Sequence, residues 1–244
     1  MSEQLSQFMD LLGKFDVIDL TYTLENKIPT FPSHSKFLFN RWISPGDPAL
    51  VNVMVMGDHA GTHFDAPAHF LHDTSNPIRK CVDEIDPMAL TGHAVKLTFG
   101  PFPAENCTIG AEDIQAWEKA NLEIQPDDIV ILDYQWGRDK WKPTDVSNEF
   151  MEGWPGLSQS GVDYLMEKKV RVIGTDCASI DAADGAGFVF PGHFGFLPNG
   201  YLVLENLKDL HKLPVEFIFM ALPLKIKEAG GSPIRALALV PKEA

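Results

Sequence analysis

The sequence predicts a single mixed α/β domain spanning residues 1–244, and three observations lead to this prediction. Many segments carry the apolar pattern of a β-strand, whereas only a few carry that of a helix. No repeat, low-complexity block or polar linker divides the chain. Apolar residues make up 45% of the 244 positions, which is enough to bury a large core without disulfides.

The predicted elements follow one another along the chain. Residues 1–15 predict a short amphipathic helix, because their apolar side chains recur at helical spacing. Residues 29–48, with a proline at each end, predict a loop. Two further helices are predicted at 110–122 and 158–169, the second with Ser158 as its N-cap. Strands are predicted where apolar residues alternate or form a short run, at 15–24, 50–56, 93–99, 128–134, 170–176, 201–206, 216–224 and 234–241.

Charge and cysteine content exclude several kinds of partner. The formal net charge is −14 at pH 7 and the pI is about 4.9, so nucleic acid and acidic membranes are not expected to bind. No segment has the pattern of a targeting sequence or an apolar run long enough to cross a membrane. The three cysteines are scattered and form no C-x-x-C pair, which predicts a reducing, cytoplasmic location.

A histidine-rich segment, residues 58–72, is the strongest candidate for a functional site. His59, His63, Asp65 and His69 are all odd-numbered, so an extended chain would place their side chains on one face. A straight strand spreads residues 59–65 over about 20 Å, at roughly 3.3 Å per residue, which is too far for one ion. Gly61 permits a bend that brings these side chains together, and it disfavours the alternative of a helix. Imidazole and carboxylate are ligands expected for Zn²⁺, Mn²⁺ or Fe²⁺.

Other side chains near this segment receive more open interpretations. His69, which lies beyond Pro67, is the best candidate for a proton carrier, although it could instead be a fourth ligand or a loop histidine. His72 is expected at the surface. Candidates for orienting the ligand imidazoles are Asn52, Asp58 and Asp73.

The string from His59 to His69, HAGTHFDAPAH, resembles the H-x-G-T-H-x-D-x-P-x-H signature of the cyclase family, which includes bacterial kynurenine formamidases and isatin hydrolases. Further landmarks occur in the family's order: DLTYTL, the turn at Phe31, the segment 155–181, then His193 and the segment 200–207. The resemblance covers residues from about 17 to 240. It implies a barrel-like mixed sheet with few flanking helices, the swivelling β/β/α fold of this family.

The resemblance also implies a metal centre with one or two Zn²⁺ or Mn²⁺ ions. Carried over by position, His59, His63, Asp65 and Glu205 would hold a first ion, and Asp65, His193 and Glu205 a second. His69 would give and take a proton. Isatin-hydrolase-like members resemble single-Mn²⁺ enzymes that can carry an amide at the position of Glu205, so the carboxylate here favours two ions.

The activity implied is hydrolysis of a non-peptide C–N bond in a small molecule: an aryl formamide, a cyclic amide or a lactam. The alternatives are an isatin-hydrolase-like mononuclear manganese enzyme, a lactone hydrolase, a hydrolase with Cys177 as nucleophile beside Asp176 or Asp181, and a non-catalytic metal or small-molecule binder. Phe31, a candidate substrate contact, stands where kynurenine formamidases typically have tryptophan.

The resemblance further implies a homodimer or homotetramer. The N-terminal helix could contact a neighbouring subunit or cap its own core. Three tryptophans in an additional aromatic region could line a larger pocket or pack in the core or an interface: Trp136, Trp141 and Trp154.

Overall fold

Seven strands of one mixed sheet close into a barrel. The structure is a computed structural model that describes residues 2–43, 45–102, 104–144, 148–183 and 189–242. Its strands are β1 (Phe15–Asp19), β2 (Leu38–Arg41), β3 (Asn52–Val55), β4 (His63–Asp65), β5 (Thr91–Thr98), β6 (Thr108–Ile109), β7 (Ile129–Asp133), β8 (Gly156–Leu157), β9 (Val172–Thr175), β10 (Leu202–Glu205), β11 (Glu216–Pro223) and β12 (Gly231–Pro241). Its helices are α1 (Glu3–Leu12), α2 (Ala111–Ala120), α3 (Gly137–Lys140), α4 (Gln159–Glu167) and α5 (Pro191–Phe196).

The barrel order is β12, β11, β5, β7, β9, β10 and β4, and β4 pairs again with β12 to close the ring. The strands β5, β7, β9 and β10 run parallel, whereas the other contacts of the ring are antiparallel. Strand β1 pairs antiparallel with the end of β12, at Leu237–Pro241, and is not part of the closed ring. This arrangement confirms the α/β fold with a barrel-like core and few helices.

The apolar run of β7 shows why the sheet needs cover on both faces. Ile129 and Ile131 pack in one apolar core with Phe64 of β4, whereas Val130 and Leu132 pack in a second core that includes Ile114 of α2 and residues of α4. Successive side chains of a strand point to opposite faces, so a continuous apolar run fills two cores at once.

Most predicted elements are confirmed, and two differences concern the neighbourhood of the site. The stretch 29–48 is not all loop, because Leu38–Arg41 forms β2 and pairs antiparallel with β3. His193, for which no element was predicted, lies in α5, because Pro191 fits the first turn of a helix, where no backbone N–H is needed. Ser158 occupies the N-cap position of α4, but its hydroxyl donates to the Ile109 carbonyl instead of capping the helix.

Within the described residues, no helix combines the length and the apolar character required to cross a bilayer.

Candidate metal centre

Two neighbouring strands of the barrel bring carboxylates and an imidazole to one face. In the antiparallel pair β4 and β10, His63 is opposite Glu205 and Asp65 is opposite Val203. His63 and Asp65 are two residues apart, so their side chains leave the same face of β4. His63 Nε2 is 3.4 Å from Glu205 Oε2 and 3.5 Å from Asp65 Oδ1. These three side chains therefore form a compact buried group.

A turn at Gly61 adds His59 to this group. Gly61 has φ of +64°, a conformation that L side chains rarely adopt, and a Cβ there would lie 2.6 Å from Leu24 Cδ2. The turn places His59 Nδ1 2.7 Å from Asp65 Oδ1. The Gly61 carbonyl is also 2.8 Å from His63 Nδ1, which leaves His63 Nε2 to face the carboxylates. The bend predicted at Gly61 is thus present.

Helix α5 supplies the fifth predicted side chain. His193 Nε2 lies 3.4 Å from Asp65 Oδ2 and 3.6 Å from Glu205 Oε1. The other ring nitrogen, Nδ1, is 2.6 Å from Asp181 Oδ2. The backbone N–H groups of Gly192 and His193 donate to the same Asp181 carboxylate, at 2.5 and 3.2 Å. Asp181 consequently fixes both the start of α5 and the direction of the His193 ring.

The candidate metal centre contains buried carboxylates, which favour a positive charge beside them. Asp65 and Glu205 are buried, and Asp65 Oδ2 makes no hydrogen bond within the part of the chain that the structure describes. Burial opposes charge on Asp65, yet the neighbouring imidazoles of His59, His193 and His63 hold the pKa of this carboxyl well below its usual range. Burial likewise lowers the pKa of His63, but the hydrogen bond to Glu205 and the charge of Asp65 outweigh it and raise the pKa to about 9.

The donor set fits a divalent cation better than it fits protons alone. Ligand atoms of His63, Asp65 and Glu205 lie within 4.8 Å of one another, and so do those of His59, Asp65 and His69. Asp65 belongs to both groups. Nitrogen and carboxylate oxygen donors without a thiolate are typical of Zn²⁺ and Mn²⁺ sites. The unsatisfied Asp65 Oδ2 would also gain a partner.

His69 lies beside the centre in the short 3₁₀ turn Pro67–His69. Its ring centroid is 4.1 Å from that of His59 and 5.9 Å from that of His193. Burial lowers the pKa of His69 to about 4, so the ring is neutral at pH 7 and can accept a proton. The same position would also allow it to bind an ion, as the second of the two ligand groups indicates.

A pocket of about 220 Å³ opens above the centre. Phe31 and His34 lie on its wall together with Phe70 and Phe190, while His59, His63, His69, His193 and Glu205 line its polar part. Burial lowers the pKa of His34. The volume is below that of pockets for drug-sized ligands, so a small molecule fits best.

The three tryptophans pack in the core rather than against the pocket. Trp154 is buried and donates from Nε1 to the Asp181 carbonyl at 2.7 Å. Trp141 stacks on Tyr22 with ring centroids 3.9 Å apart, and Trp136 Nε1 donates to the Phe150 carbonyl at 3.0 Å. None of them is among the described residues that line the pocket.

Sequence reasoning missed the side chain that orients His193. Asp181 has no regular spacing to the ligands, and its role depends on the start of α5. Of the three predicted orienting residues, Asp73 is exposed and accepts from Ser75, and Asp58 Oδ2 is 3.7 Å from His59 Nε2. Asn52 lies in β3, and its buried Oδ1 has no hydrogen-bond partner among the described residues. The observed partners of the ligand imidazoles are instead Asp65, Asp181 and the Gly61 carbonyl.

Cys177 does not have the surroundings of a nucleophile. Its side chain is buried, and burial raises the pKa of the thiol well above its ordinary value. The nearest polar partner of Sγ is Asp176 Oδ1, at 3.8 Å, which disfavours a thiolate further.

A buried imidazole and carboxylate centre at the rim of a barrel defines a class of metal-dependent hydrolases, and comparison with known proteins agrees. The family described as "Putative cyclase" matches residues 18–182, so the chain belongs to the cyclase family. It is 30% identical to an isatin hydrolase of Roseibium aggregatum, over 95% of this chain and 94% of that protein. It is 29% identical to a kynurenine formamidase of Bacillus cereus, over 90% and 95%.

The fold is likewise shared with a solved structure. Isatin hydrolase A from Labrenzia aggregata, bound to benzyl benzoate, superimposes with a TM-score of 0.86 at 28% identity, covering 98% of this chain and 100% of that chain. The chain is thus a cyclase-family metal-dependent hydrolase.

Proposed function

We propose that this protein hydrolyses a C–N bond, other than a peptide bond, in a small aryl amide: an aryl formamide, a cyclic amide or a lactam. The observation that carries the proposal is the group of buried Asp65, Glu205, His63 and His193 with partly buried His59, at the base of a small pocket with phenylalanine walls. The names of the relatives support this substrate class, and their similar identities favour neither isatin-like nor formylkynurenine-like substrates.

The proposed ligands divide into two sets that share carboxylates. His59, His63, Asp65 and Glu205 would hold the first divalent cation, and Asp65, His193 and Glu205 would hold the second. When bound, such a cation supplies Lewis acidity for the carbonyl and acidifies a water molecule. Glu205 directs Oε2 towards His63 and Oε1 towards His193, which supports a bridging role. Ile180 donates its backbone N–H to Oε1 at 2.9 Å and fixes this orientation.

The remaining side chains hold protons and position the substrate. The position of His69, with its ring centroid 4.1 Å from that of His59, supports the role of proton carrier: a ring nitrogen would accept a proton as water attacks and return that proton to the departing nitrogen. Asp181 accepts from His193 Nδ1 and keeps Nε2 directed at the carboxylates. Phe31 and the other pocket phenylalanines pack against the aryl ring and exclude water from its faces.

Metal content and turnover of matched variants test the proposal. The protein is purified without chelator, its Zn and Mn are measured by mass spectrometry, and hydrolysis of formanilide, isatin and an aryl lactone is followed. The wild type is expected to hold one or two equivalents of metal and to cleave at least one of the amides. Asp65→Asn should lose metal and activity together.

The variant His69→Ala separates the proton carrier from a ligand. We expect it to keep its metal and to lose about 10²- to 10⁴-fold in kcat. His72→Ala, an exposed histidine of the same segment, is the control and should behave like wild type. Loss of metal from His69→Ala would make His69 a ligand, and a metal-free wild type that regains none would contradict the proposal as a whole.

A further inference from the structure

His34 is a polar side chain on the pocket wall that takes no part in the proposed chemistry. His34 follows Phe31 in the proline turn, where its backbone N–H donates to the Phe31 carbonyl at 2.8 Å. Its half-buried ring lies 5.3 Å, centroid to centroid, from both Phe31 and His59. Among the residues that the structure describes, the ring nitrogens of His34 have no hydrogen-bond partner.

The other polar side chains of the pocket outside the proposed centre are engaged within the protein, except for the exposed Ser33. Thr30 donates from its hydroxyl to the Ile28 carbonyl at 3.1 Å, and Asn206 donates from Nδ2 to the Gly61 carbonyl at 2.8 Å. The side-chain oxygen Oδ1 of Asn206 has no hydrogen-bond partner among the described residues, but it is closed off from solvent. His34 therefore offers the pocket a hydrogen-bonding group that the protein itself does not use.

The chemistry of the wall limits what His34 can recognise. A neutral imidazole donates at one nitrogen and accepts at the other, so it can bind a hydroxyl, an amine or a carbonyl. His34 contacts His59, a proposed metal ligand. A substrate atom that hydrogen-bonds to His34 must therefore lie close to the substrate group that is bound at the metal centre. Phe31 beside it provides an apolar surface for the ring that carries this partner.

We infer that His34 determines substrate specificity by hydrogen-bonding a polar substituent on the aryl ring, close to the bond that is cleaved. This inference rests on the proposed function for the placement of the ring. A substrate with an unsubstituted aryl ring would displace water from the His34 imidazole without replacing the hydrogen bond to that water. Binding sites that leave a polar group without its partner in this way reject ligands that lack the matching group.

Binding of matched aryl acids tests His34 without requiring turnover. The probes are benzoate, 2-hydroxybenzoate and 3-hydroxybenzoate, titrated by calorimetry into metal-reconstituted protein. His34→Phe keeps a flat ring and removes both nitrogens, whereas His34→Asn keeps a donor and an acceptor. His72→Phe is the same substitution at an exposed position and serves as the control.

The wild type is expected to bind at least one hydroxybenzoate about tenfold more tightly than benzoate. His34→Phe should lose this preference while benzoate affinity and metal content stay within about twofold, and His34→Asn should keep part of it. Equal binding of all three acids by wild type, an equal loss for all three in His34→Phe, or loss of metal would each overturn the inference. Formanilide and isatin turnover by wild type reports separately on the proposed function.

Discussion

Asp181 is the residue through which the protein controls the direction of a ligand imidazole. It accepts from His193 Nδ1 and from two backbone N–H groups at the start of α5. Asp181→Asn keeps the size of the side chain but removes the charge that holds this ring. We expect metal affinity to fall about 10- to 100-fold, as measured by competition with a chelator of known affinity.

The control for this prediction is Asp73→Asn, which changes an exposed carboxylate that accepts from Ser75. It should leave metal affinity unchanged. Because Asp181 is buried, urea unfolding of the metal-free proteins shows how much stability each variant loses. If Asp181→Asn bound metal as tightly as wild type, the orienting role would be wrong.

The local part of the site could be predicted from the sequence, but the rest depends on distant pairing. His59, His63 and Asp65 are within seven residues, and one glycine turn explains how they meet. Glu205 reaches them only because β10 pairs with β4, and short-range patterns carry no information on that pairing. The resemblance to a family supplied Glu205 and His193, whereas Asp181 and His34 needed the structure.

At the scale of elements, the turn at Gly61 couples the backbone to the centre. An L residue with φ of +64° costs about 1–2 kcal/mol, and a Cβ at this position would also meet Leu24. Gly61→Ala should lower the free energy of unfolding by more than this strain and weaken metal binding. Gly46→Ala, with φ of +95° and open space around it, is the matched control for strain alone. Equal losses in the two variants, measured by urea unfolding, would contradict the role of packing at Gly61.

A second element-scale prediction concerns an ion pair at the edge of β5. His93 contacts Asp128 at 2.7 Å and Glu216 at 3.3 Å, and the hydrogen bond to Asp128 raises the pKa of His93 against partial burial. A raised folded-state pKa stabilises the protein below the unfolded pKa, near 6.5, and this stabilisation is lost as the pH rises through the folded value. Because the ring is largely exposed, solvent screening limits the gain to about 1 kcal/mol or less.

Urea unfolding of wild type and His93→Gln at two pH values measures this contribution. The wild type should exceed the variant in stability at about pH 5.5, and the difference should shrink at about pH 8.5. Both proteins contain the same buried metal centre, so its titration cancels when the stability of the variant is subtracted from that of wild type. A difference that grew with pH would reverse the assigned sign.

For the whole molecule, the class of fold could be predicted from the sequence, but the closure of the sheet into a barrel could not. The apolar runs and alternations identified nearly all strands of the barrel, because burial on one or both faces imprints a period on the sequence. The order of the strands joins β12 to β4 and β10 to β4 across long stretches of chain. The small strand β2 was missed, since its four residues are all exposed and leave no burial pattern.

That exposure supports a proposal for the assembled protein. The antiparallel hairpin of β2 and β3 carries exposed apolar side chains on both faces, including Phe39, Met54 and Val55, and Trp42 directly after β2 is 70% exposed. Helix α1 buries none of its residues and exposes Leu5, Phe8 and Met9, so it does not cap the core of its own chain. Large exposed apolar patches on proteins mark interaction sites, and the similarity to the cyclase family implies a second copy of this chain as the partner.

We therefore propose that the hairpin forms a homo-oligomeric interface, and its disruption gives a direct test. Phe39 and Met54 are opposite each other in the hairpin, so Phe39→Glu with Met54→Glu places two like charges where the proposal puts apolar contact. Light scattering should show a dimer or tetramer for wild type and a monomer for this variant. Leu222→Glu changes a comparably exposed residue of β11 and should leave the mass unchanged. Because the hairpin lies between His34 and His59 in the chain, the monomeric variant should also lose activity, whereas a monomeric wild type would refute the interface.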